Sequence, residues 1–198
     1  MTGVESTLFR HRLAPLGYRV RQFHYHSLSA SAATVLDALR AEVLGHAAPV
    51  HLVGHSLGGL VVLRLMERYP QLAVGRIVLL GSPVNGSGAA HGFLRIPGAA
   101  ALFGPLAGDE LMQIGTRQWS HAVQVGVIAG SESLGLGRLF SSLPEPNDGT
   151  VAVEETRLAG AADHRVLAVS HVGLLLSAAV VRETACFFDT GRFSVQGP

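Results

Sequence analysis

One strand-turn-helix signal constrains the fold of this chain more than any other feature. An apolar, β-branched run at residues 50–53 ends at Gly54, and an apolar helical pattern follows Ser56 over residues 57–66. So sharp a turn crowds the backbone around the serine, which predicts almost no side chain two residues before it, at Gly54, and two residues after it, at Gly58. The pattern therefore predicts a buried strand that presents a strained serine at its carboxyl end.

A serine in that position has a chemical use. Its hydroxyl can attack a carbonyl carbon, while the backbone N–H of Leu57 points toward the same space and can stabilise the oxyanion that forms. The chain has 24 glycines in 198 residues, so Gly-x-Ser-x-Gly alone is weakly specific. The strand before it and the helix after it are what the motif requires. The alternative is a plain glycine-rich turn between a strand and a helix.

Three segments carry a family resemblance. Gly-His-Ser-Leu-Gly-Gly at residues 54–59 resembles the nucleophile elbow of the lipase and esterase branch of the α/β-hydrolase family. Pro-Asn-Asp-Gly-Thr-Val at residues 146–151 and Ser-His-Val-Gly-Leu-Leu at residues 170–175 resemble the acid and histidine segments of the small bacterial lipases of that family. The resemblance covers nearly the whole chain, from the first predicted helix to the last.

A serine nucleophile needs a base, and the base needs a group that fixes its tautomer. Asp148 and His171 follow Ser56 in that order, each in the loop after a successive predicted strand, at residues 123–129 and 165–169. A parallel sheet would bring these loops to one edge. Taken singly, the aspartate could cap a turn and the histidine could begin a helix. The resemblance implies Ser56 as nucleophile, His171 as general base and then acid, and Asp148 as the orienting carboxylate.

Rival side chains lie near each of these positions. Glu145 is the one neighbouring carboxylate that could replace the predicted acid. Asp163 and His164 immediately precede a predicted strand, so we expect them at the opposite end of the sheet. His55 adjoins the serine and is predicted to pack against the pocket or shape it, not to act as the base.

Strand and helix patterns alternate along the chain and predict a single domain over residues 1–198. The predicted fold class is α/β, a doubly wound, mostly parallel sheet with helices on both faces. The earlier elements are a helix at residues 4–16, an alternating strand at 18–25 near a sheet edge, a helix that begins after Ser29 or Ser31, and a continuous apolar run at 77–80 that is typical of a buried parallel strand.

The pattern loosens between residues 82 and 119. A loop this long, after the carboxyl end of a strand, is usually functional, which predicts a small cap and acyl-binding wall. A structural excursion with one short helix is an equal alternative, because an apolar lining and a local core look the same in sequence. Predicted substrate contacts are His55, Val84, Phe93, Leu94 and Val172.

Composition excludes several classes of partner. Lys and Arg number 15 against 14 Asp and Glu, so no basic field is available for nucleic acid or an anionic membrane. No run of 18 apolar residues predicts a transmembrane helix, and the amino terminus lacks a signal-peptide pattern, so we expect a cytoplasmic protein unless a leader has been removed. The single cysteine, Cys186, excludes an internal disulfide, and no residue spacing indicates a metal or another cofactor.

The chain departs from the family pattern at its start. The family normally begins with a central strand that ends in His-Gly and leads to a second oxyanion donor, whereas Met1 falls just inside the loop that would follow that strand. Either the chain is shorter than the natural protein, or Met1, Thr2 and Gly3 supply the donor. A missing strand would leave an unpaired sheet edge, which favours rearrangement or pairing in a homodimer.

These observations favour a carboxylic-ester hydrolase, an esterase or lipase that forms an acyl-serine intermediate. The apolar character of residues 93–106 favours an acyl chain over a charged substrate. Two alternatives remain open. An acyltransferase would use the same three residues and pass the acyl group to an alcohol, and a non-catalytic binding protein would keep the fold with an incomplete oxyanion hole.

Overall fold

The computed structural model describes residues 4–24, 31–47, 49–85, 117–133 and 143–195. The described part contains short 3-10 turns at Ala14–Leu16 and Glu154–Thr156 besides its helices and strands. The helices are α1 (Val4–Leu13), α2 (Ala32–Leu44), α3 (Leu57–Arg68), α4 (Gly173–Leu176) and α5 (Ala178–Thr190), and the strands are β1 (Val50–His55), β2 (Val74–Leu80), β3 (Gln124–Gly130) and β4 (Asp163–Leu167).

The four strands form one parallel sheet in the order β1-β2-β3-β4. At the carboxyl ends, His55 of β1 lies opposite Leu80 of β2, and Gly130 of β3 lies opposite Leu167 of β4. The loops that follow these ends therefore emerge along the same edge. Within the described residues, β1 pairs with β2 on one side only. The predicted parallel α/β sheet is confirmed.

Apolar side chains from both faces of the sheet form two cores. Ile77 and Leu79 of β2 pack with α2 and α3 on one face. Val78 and Leu80 pack with α1, α4 and α5 on the other, and all four residues are 0% exposed. Burial of each such side chain contributes about 1.5–3 kcal/mol relative to exposure. The continuous apolar run of β2 thus follows from helices on both faces, as predicted.

Of the two serines predicted to begin α2, Ser31 is the one that caps the helix within the described residues. Its hydroxyl oxygen accepts a hydrogen bond from the backbone N–H of Thr34 at 3.2 Å. The first predicted helix ends at Gly17, which has a φ of 93° and donates its N–H to the Ala14 carbonyl. Ser29 lies outside the described residues.

The strand predicted at residues 18–25 is wrong for its described part, because residues 18–24 join no ladder of the sheet. Tyr18 is anchored by side-chain contacts instead. Its ring lies 5.6 Å from that of Phe188, and its hydroxyl donates to the carboxylate of Asp189. A segment without ladder partners that places Tyr18 and Val20 against one core and Phe23 against the other shows the same alternation of side chains as a strand, so the sequence pattern could not separate the two.

Most of the predicted cap lies outside the described residues, since only 82–85 and 117–119 of that segment are described. Val84 and Trp119, near its two ends, are 3% and 7% exposed and pack into the core beside α2 and α3. The cap itself stays a prediction. No helix in the described ranges has the length and apolarity needed to cross a bilayer.

Candidate active site

The turn between β1 and α3 holds Ser56 in an uncommon backbone conformation. Its φ of 53° and ψ of −127° make it the one described non-glycine residue with a positive φ. Such a conformation costs about 1–3 kcal/mol and persists only where the surroundings impose it. The backbone N–H of Ser56 donates to the Leu80 carbonyl at 2.9 Å, which ties the turn to the end of β2. The predicted strained serine is present.

Close approach of α3 to β1 explains which glycines this turn requires. A Cβ on Gly54 would lie 2.4 Å from the α-carbon of Gly59, and a Cβ on Gly59 would lie 2.0 Å from the Ser82 hydroxyl oxygen. A Cβ on Gly58 would meet no described atom within 4 Å. The prediction for Gly54 is therefore confirmed, and the one for Gly58 is wrong. The helix turns back over the strand end at Gly59, so the steric requirement falls there.

We expect Gly54→Ala to destabilise the protein by about 3 kcal/mol or more, because the new methyl group meets backbone atoms that no rotamer change can move. Gly58→Ala is the matched control. It adds a methyl group in open space within a helix and should leave the unfolding free energy unchanged or raise it by up to about 1 kcal/mol. Urea unfolding followed by circular dichroism measures both variants. Equal stabilities would contradict the steric explanation.

Asp148 and His171 form a hydrogen-bonded pair at the carboxyl edge of the sheet. The distance from His171 Nδ1 to Asp148 Oδ2 is 2.8 Å, and the backbone N–H of His171 donates to the Asp148 carbonyl at 2.9 Å. Asp148 is 2% exposed, and its Oδ1 accepts from the N–H groups of Thr150 and Val151 at 2.9 and 2.8 Å. An ionised carboxylate only accepts, so His171 carries its proton on Nδ1 and leaves Nε2 as an acceptor.

Two glycines that no sequence motif assigned to the site lie against this pair. Gly81 has a φ of 53°, and a Cβ there would lie 3.0 Å from Asp148 Oδ2 and 3.2 Å from His171 Nδ1. A Cβ on Gly130 would lie 2.4 Å from the Val169 carbonyl oxygen and 2.8 Å from Asp148 Cβ. The available signal was their position, since Gly81 follows the last residue of β2 and Gly130 is the last residue of β3.

The serine turn and the Asp148–His171 pair adjoin each other. The Ser56 N–H is hydrogen-bonded to the Leu80 carbonyl, and Gly81, which follows Leu80, packs against Asp148 and His171. The hydrogen bonds of the described residues include none between the Ser56 hydroxyl and His171. Such bonds are often long in free enzymes and tighten when substrate binds. Ser56, Asp148 and His171 thus lie at one edge of the sheet. The hydrogen bond between Asp148 and His171 is formed, and the one between His171 and the Ser56 hydroxyl is not.

His55 connects the two parts of the site. Its Nε2 lies 3.0 Å from the carbonyl oxygen of His171, and the two ring centroids are 4.6 Å apart. Burial, and then the neighbouring His171, lowers the pKa of His55 to about 3. The ring is therefore neutral near pH 7. Since a carbonyl only accepts, Nε2 carries the proton and donates.

The other predicted site residues are dispersed. Leu57 begins α3, where its N–H has no acceptor within the helix, and Val172 is 51% exposed beside His171. Val84 is buried in the core described above. Phe93 and Leu94 lie outside the described residues, as do Met1, Thr2 and Gly3, so those predictions remain predictions.

The rival carboxylates lie apart from the pair. Glu145 is exposed, whereas Asp148, three residues later, is buried. Asp163 and His164 begin β4, at the amino end of the sheet, as expected. His164 Nε2 lies 2.9 Å from the Thr156 hydroxyl. Within the described ranges, no three His, Cys, Asp or Glu side chains are grouped as metal ligands would be.

Known proteins share this architecture. Mature lipase BlEst2 from Bacillus licheniformis is 17% identical, with a TM-score of 0.65 over 90% of this chain and 81% of that chain. A pyrethroid hydrolase from Sphingobium faniae is 13% identical, with a TM-score of 0.63 over 95% and 93% of the two chains. Phospholipase PlaB from Legionella pneumophila is 17% identical, with a TM-score of 0.51 over 79% and 42%. A comparison with curated protein sequences found no match.

At these identities the solved structures establish a common fold. The sequence itself matches a family model, that of the alpha/beta hydrolase family, over residues 9–187, which is most of the chain. The parallel sheet, the strained serine after β1 and the hydrogen-bonded pair in the loops after β3 and β4 agree with that match. The chain belongs to the alpha/beta hydrolase family.

Proposed function

We propose that this hydrolase cleaves carboxylic esters through an acyl intermediate on Ser56. The observation that carries the proposal is the 2.8 Å hydrogen bond between His171 and a buried Asp148, beside a serine held at positive φ. An imidazole oriented in this way is a suitable base for a hydroxyl that the turn already exposes. The lipase, the pyrethroid hydrolase and the phospholipase that share the fold add support for an ester or lipid substrate.

The reaction proceeds in two halves. Ser56 Oγ attacks the ester carbonyl carbon while His171 Nε2 takes its proton, and Asp148 stabilises the imidazolium. The Leu57 N–H donates to the oxyanion of the tetrahedral intermediate. Collapse breaks the acyl–oxygen bond, and His171 gives its proton to the departing alcohol. Water then attacks the acyl-serine by the same route, which releases the acid and restores the serine.

Substrate preference is proposed from the sequence and from one exposed side chain. The apolar segment at residues 93–106 favours an uncharged acyl group, as does the exposed apolar side chain of Val172 next to the base. We therefore propose carboxylic esters of uncharged acyl groups as the first substrates to assay. Product analysis in the presence of an added alcohol distinguishes hydrolysis from transfer, because an acyltransferase would form the new ester in preference to the free acid.

Covalent labelling with a fluorophosphonate probe, followed by peptide mapping, tests the proposal. We expect a single adduct on Ser56, because phosphonylation requires a serine activated by its base. His171→Ala should slow labelling by about 10³-fold or more, since the base is lost while the turn remains. An adduct on another serine, or none on folded protein, would remove the support for this mechanism.

A further inference from the structure

We propose that His55 is a positioning residue whose imidazole ties the loop that carries His171 to the serine turn. This inference rests on the proposed function, in which His171 is the base. The two histidines are 116 positions apart in the sequence, yet His55 Nε2 donates to the backbone carbonyl of His171 at 3.0 Å. The residue that precedes the nucleophile therefore contacts the residue that must deprotonate it.

Among the described residues, three hydrogen bonds hold His171, and they come from two residues. Asp148 supplies two of them, one to the His171 backbone N–H and one to Nδ1. His55 supplies the third, to the carbonyl oxygen. Asp148 belongs to the loop after β3, so its two bonds fix His171 relative to that loop. The bond from His55 is the tie that fixes His171 relative to Ser56.

The loop around His171 is held by the loop after β3 and by α4, since the Glu132 N–H donates to the Val169 carbonyl at 3.2 Å and the Leu174 N–H to the Ser170 carbonyl at 3.0 Å. It joins the end of β4 to α4, a helix of four residues, and Val172 is 51% exposed. The Ser170 hydroxyl accepts a hydrogen bond from the Gly173 N–H at 3.2 Å, and this bond joins the loop to α4, not to β1. A displacement of about 1 Å at a reacting group can cost about 10²-fold in rate. A hydrogen bond from His55, the last residue of β1, therefore helps catalysis by holding His171 in place beside Ser56.

A neutral donor is the suitable group for this position. A lysine or arginine could also donate to the carbonyl, but its charge would repel the imidazolium that forms on His171 during turnover. The His55 ring lies 4.6 Å from that of His171, and its Nδ1 is buried with no hydrogen-bond partner among the described residues. Its low pKa, caused first by burial, keeps the ring uncharged at the pH of turnover.

Two amide substitutions distinguish the hydrogen bond made by His55 from the packing of its side chain. His55→Gln places an N–H donor the same number of bonds from the backbone as Nε2, whereas His55→Asn has the same amide group one bond shorter. With a chromogenic ester, we expect His55→Asn to lower kcat by about 10- to 100-fold with KM changed less than about twofold. His55→Gln should keep kcat within about threefold of the wild type. Circular dichroism and urea midpoints verify that each variant is folded.

A loss of kcat that is equal in the two variants, or a fully active His55→Asn, would overturn the proposal. His55→Phe provides a third variant that fills the space without a donor, should the asparagine variant fail to fold. It is expected to match the loss predicted for asparagine. A phenylalanine variant with wild-type kcat would likewise count against the tie.

A readout that does not depend on turnover separates this inference from the proposed function. In a carbon–proton NMR spectrum, the His171 Cε1–Hε1 signal should be broader in His55→Asn than in His55→Gln, two variants that both lose the ring-current effect of the imidazole 4.6 Å away. If the wild type hydrolyses no ester but the signal responds in this way, the proposed function is wrong and the hydrogen bond from His55 to His171 is supported. If the line width is the same in both variants, the positioning role of His55 is wrong whatever the activity.

Discussion

Replacing Ser56 with alanine is expected to lower kcat/KM for a chromogenic ester by about 10⁵-fold or more. Alanine has no hydroxyl to attack the carbonyl carbon. The Leu57 N–H and His171 could then assist only the direct attack of a water molecule on the ester. Because alanine retains a Cβ at the same positive φ of 53°, the backbone strain of the turn is nearly unchanged. The variant should therefore unfold at a urea concentration close to that of the wild type.

Ser131→Ala is the matched control for this substitution. Ser131 follows β3 at the same edge of the sheet, and its hydroxyl donates to the Leu167 carbonyl at 3.3 Å. Loss of that bond should leave kcat/KM within about twofold of the wild type, since the hydroxyl has no part in the proposed chemistry. A folded Ser56→Ala protein that kept more than about 1% of the activity would contradict the assignment of the nucleophile.

The second large effect is expected for Asp148→Asn, which should lower kcat by about 10⁴-fold. In the wild type, Oδ1 accepts the N–H groups of Thr150 and Val151, and Oδ2 accepts His171 Nδ1–H. The asparagine carbonyl would take the Oδ1 place, because two N–H groups need an acceptor there. Its NH₂ would then face Nδ1 and select the tautomer protonated on Nε2, which cannot accept the serine proton.

Steady-state kinetics with the same chromogenic ester measures this loss, and Glu145→Gln is its control. Glu145 is exposed and lies three residues from Asp148. Its substitution removes one negative charge, as Asp148→Asn does, but leaves the hydrogen bond to the His171 imidazole intact. Glu145→Gln should retain wild-type kcat. If Glu145→Gln lost activity and Asp148→Asn kept it, the orienting carboxylate would have been assigned to the wrong residue.

Local sequence determined much of the architecture. The apolar runs of β1 and β2 and the helical spacing of α3 predicted a parallel α/β sheet, because these patterns depend on which faces are buried. The carboxyl ends of parallel strands share an edge, so the positions of Ser56, Asp148 and His171 in chain order were enough to predict that they meet there. The observed Asp148–His171 distance of 2.8 Å agrees with that expectation.

Contacts between segments distant in sequence had no such signal. The alternation at residues 18–24 is the same for an edge strand and for a segment that packs side chains against both cores without joining a ladder, and only the tertiary partners decide between them. Likewise, the motif could not indicate that a Cβ is excluded at Gly59 but fits at Gly58, because that depends on the angle at which α3 leaves β1.

The sequence by itself therefore determined the class of fold, the turn that strains Ser56 and the loops that bear the predicted acid and base. Tertiary structure alone decided that Gly81 and Gly130 lie against Asp148, and that the His55 ring bonds to His171. The physical reason is the distance along the chain over which each interaction acts. Periodicity and turn chemistry are set by neighbours along the chain, whereas close packing and a hydrogen bond across 116 residues depend on how separate elements come together.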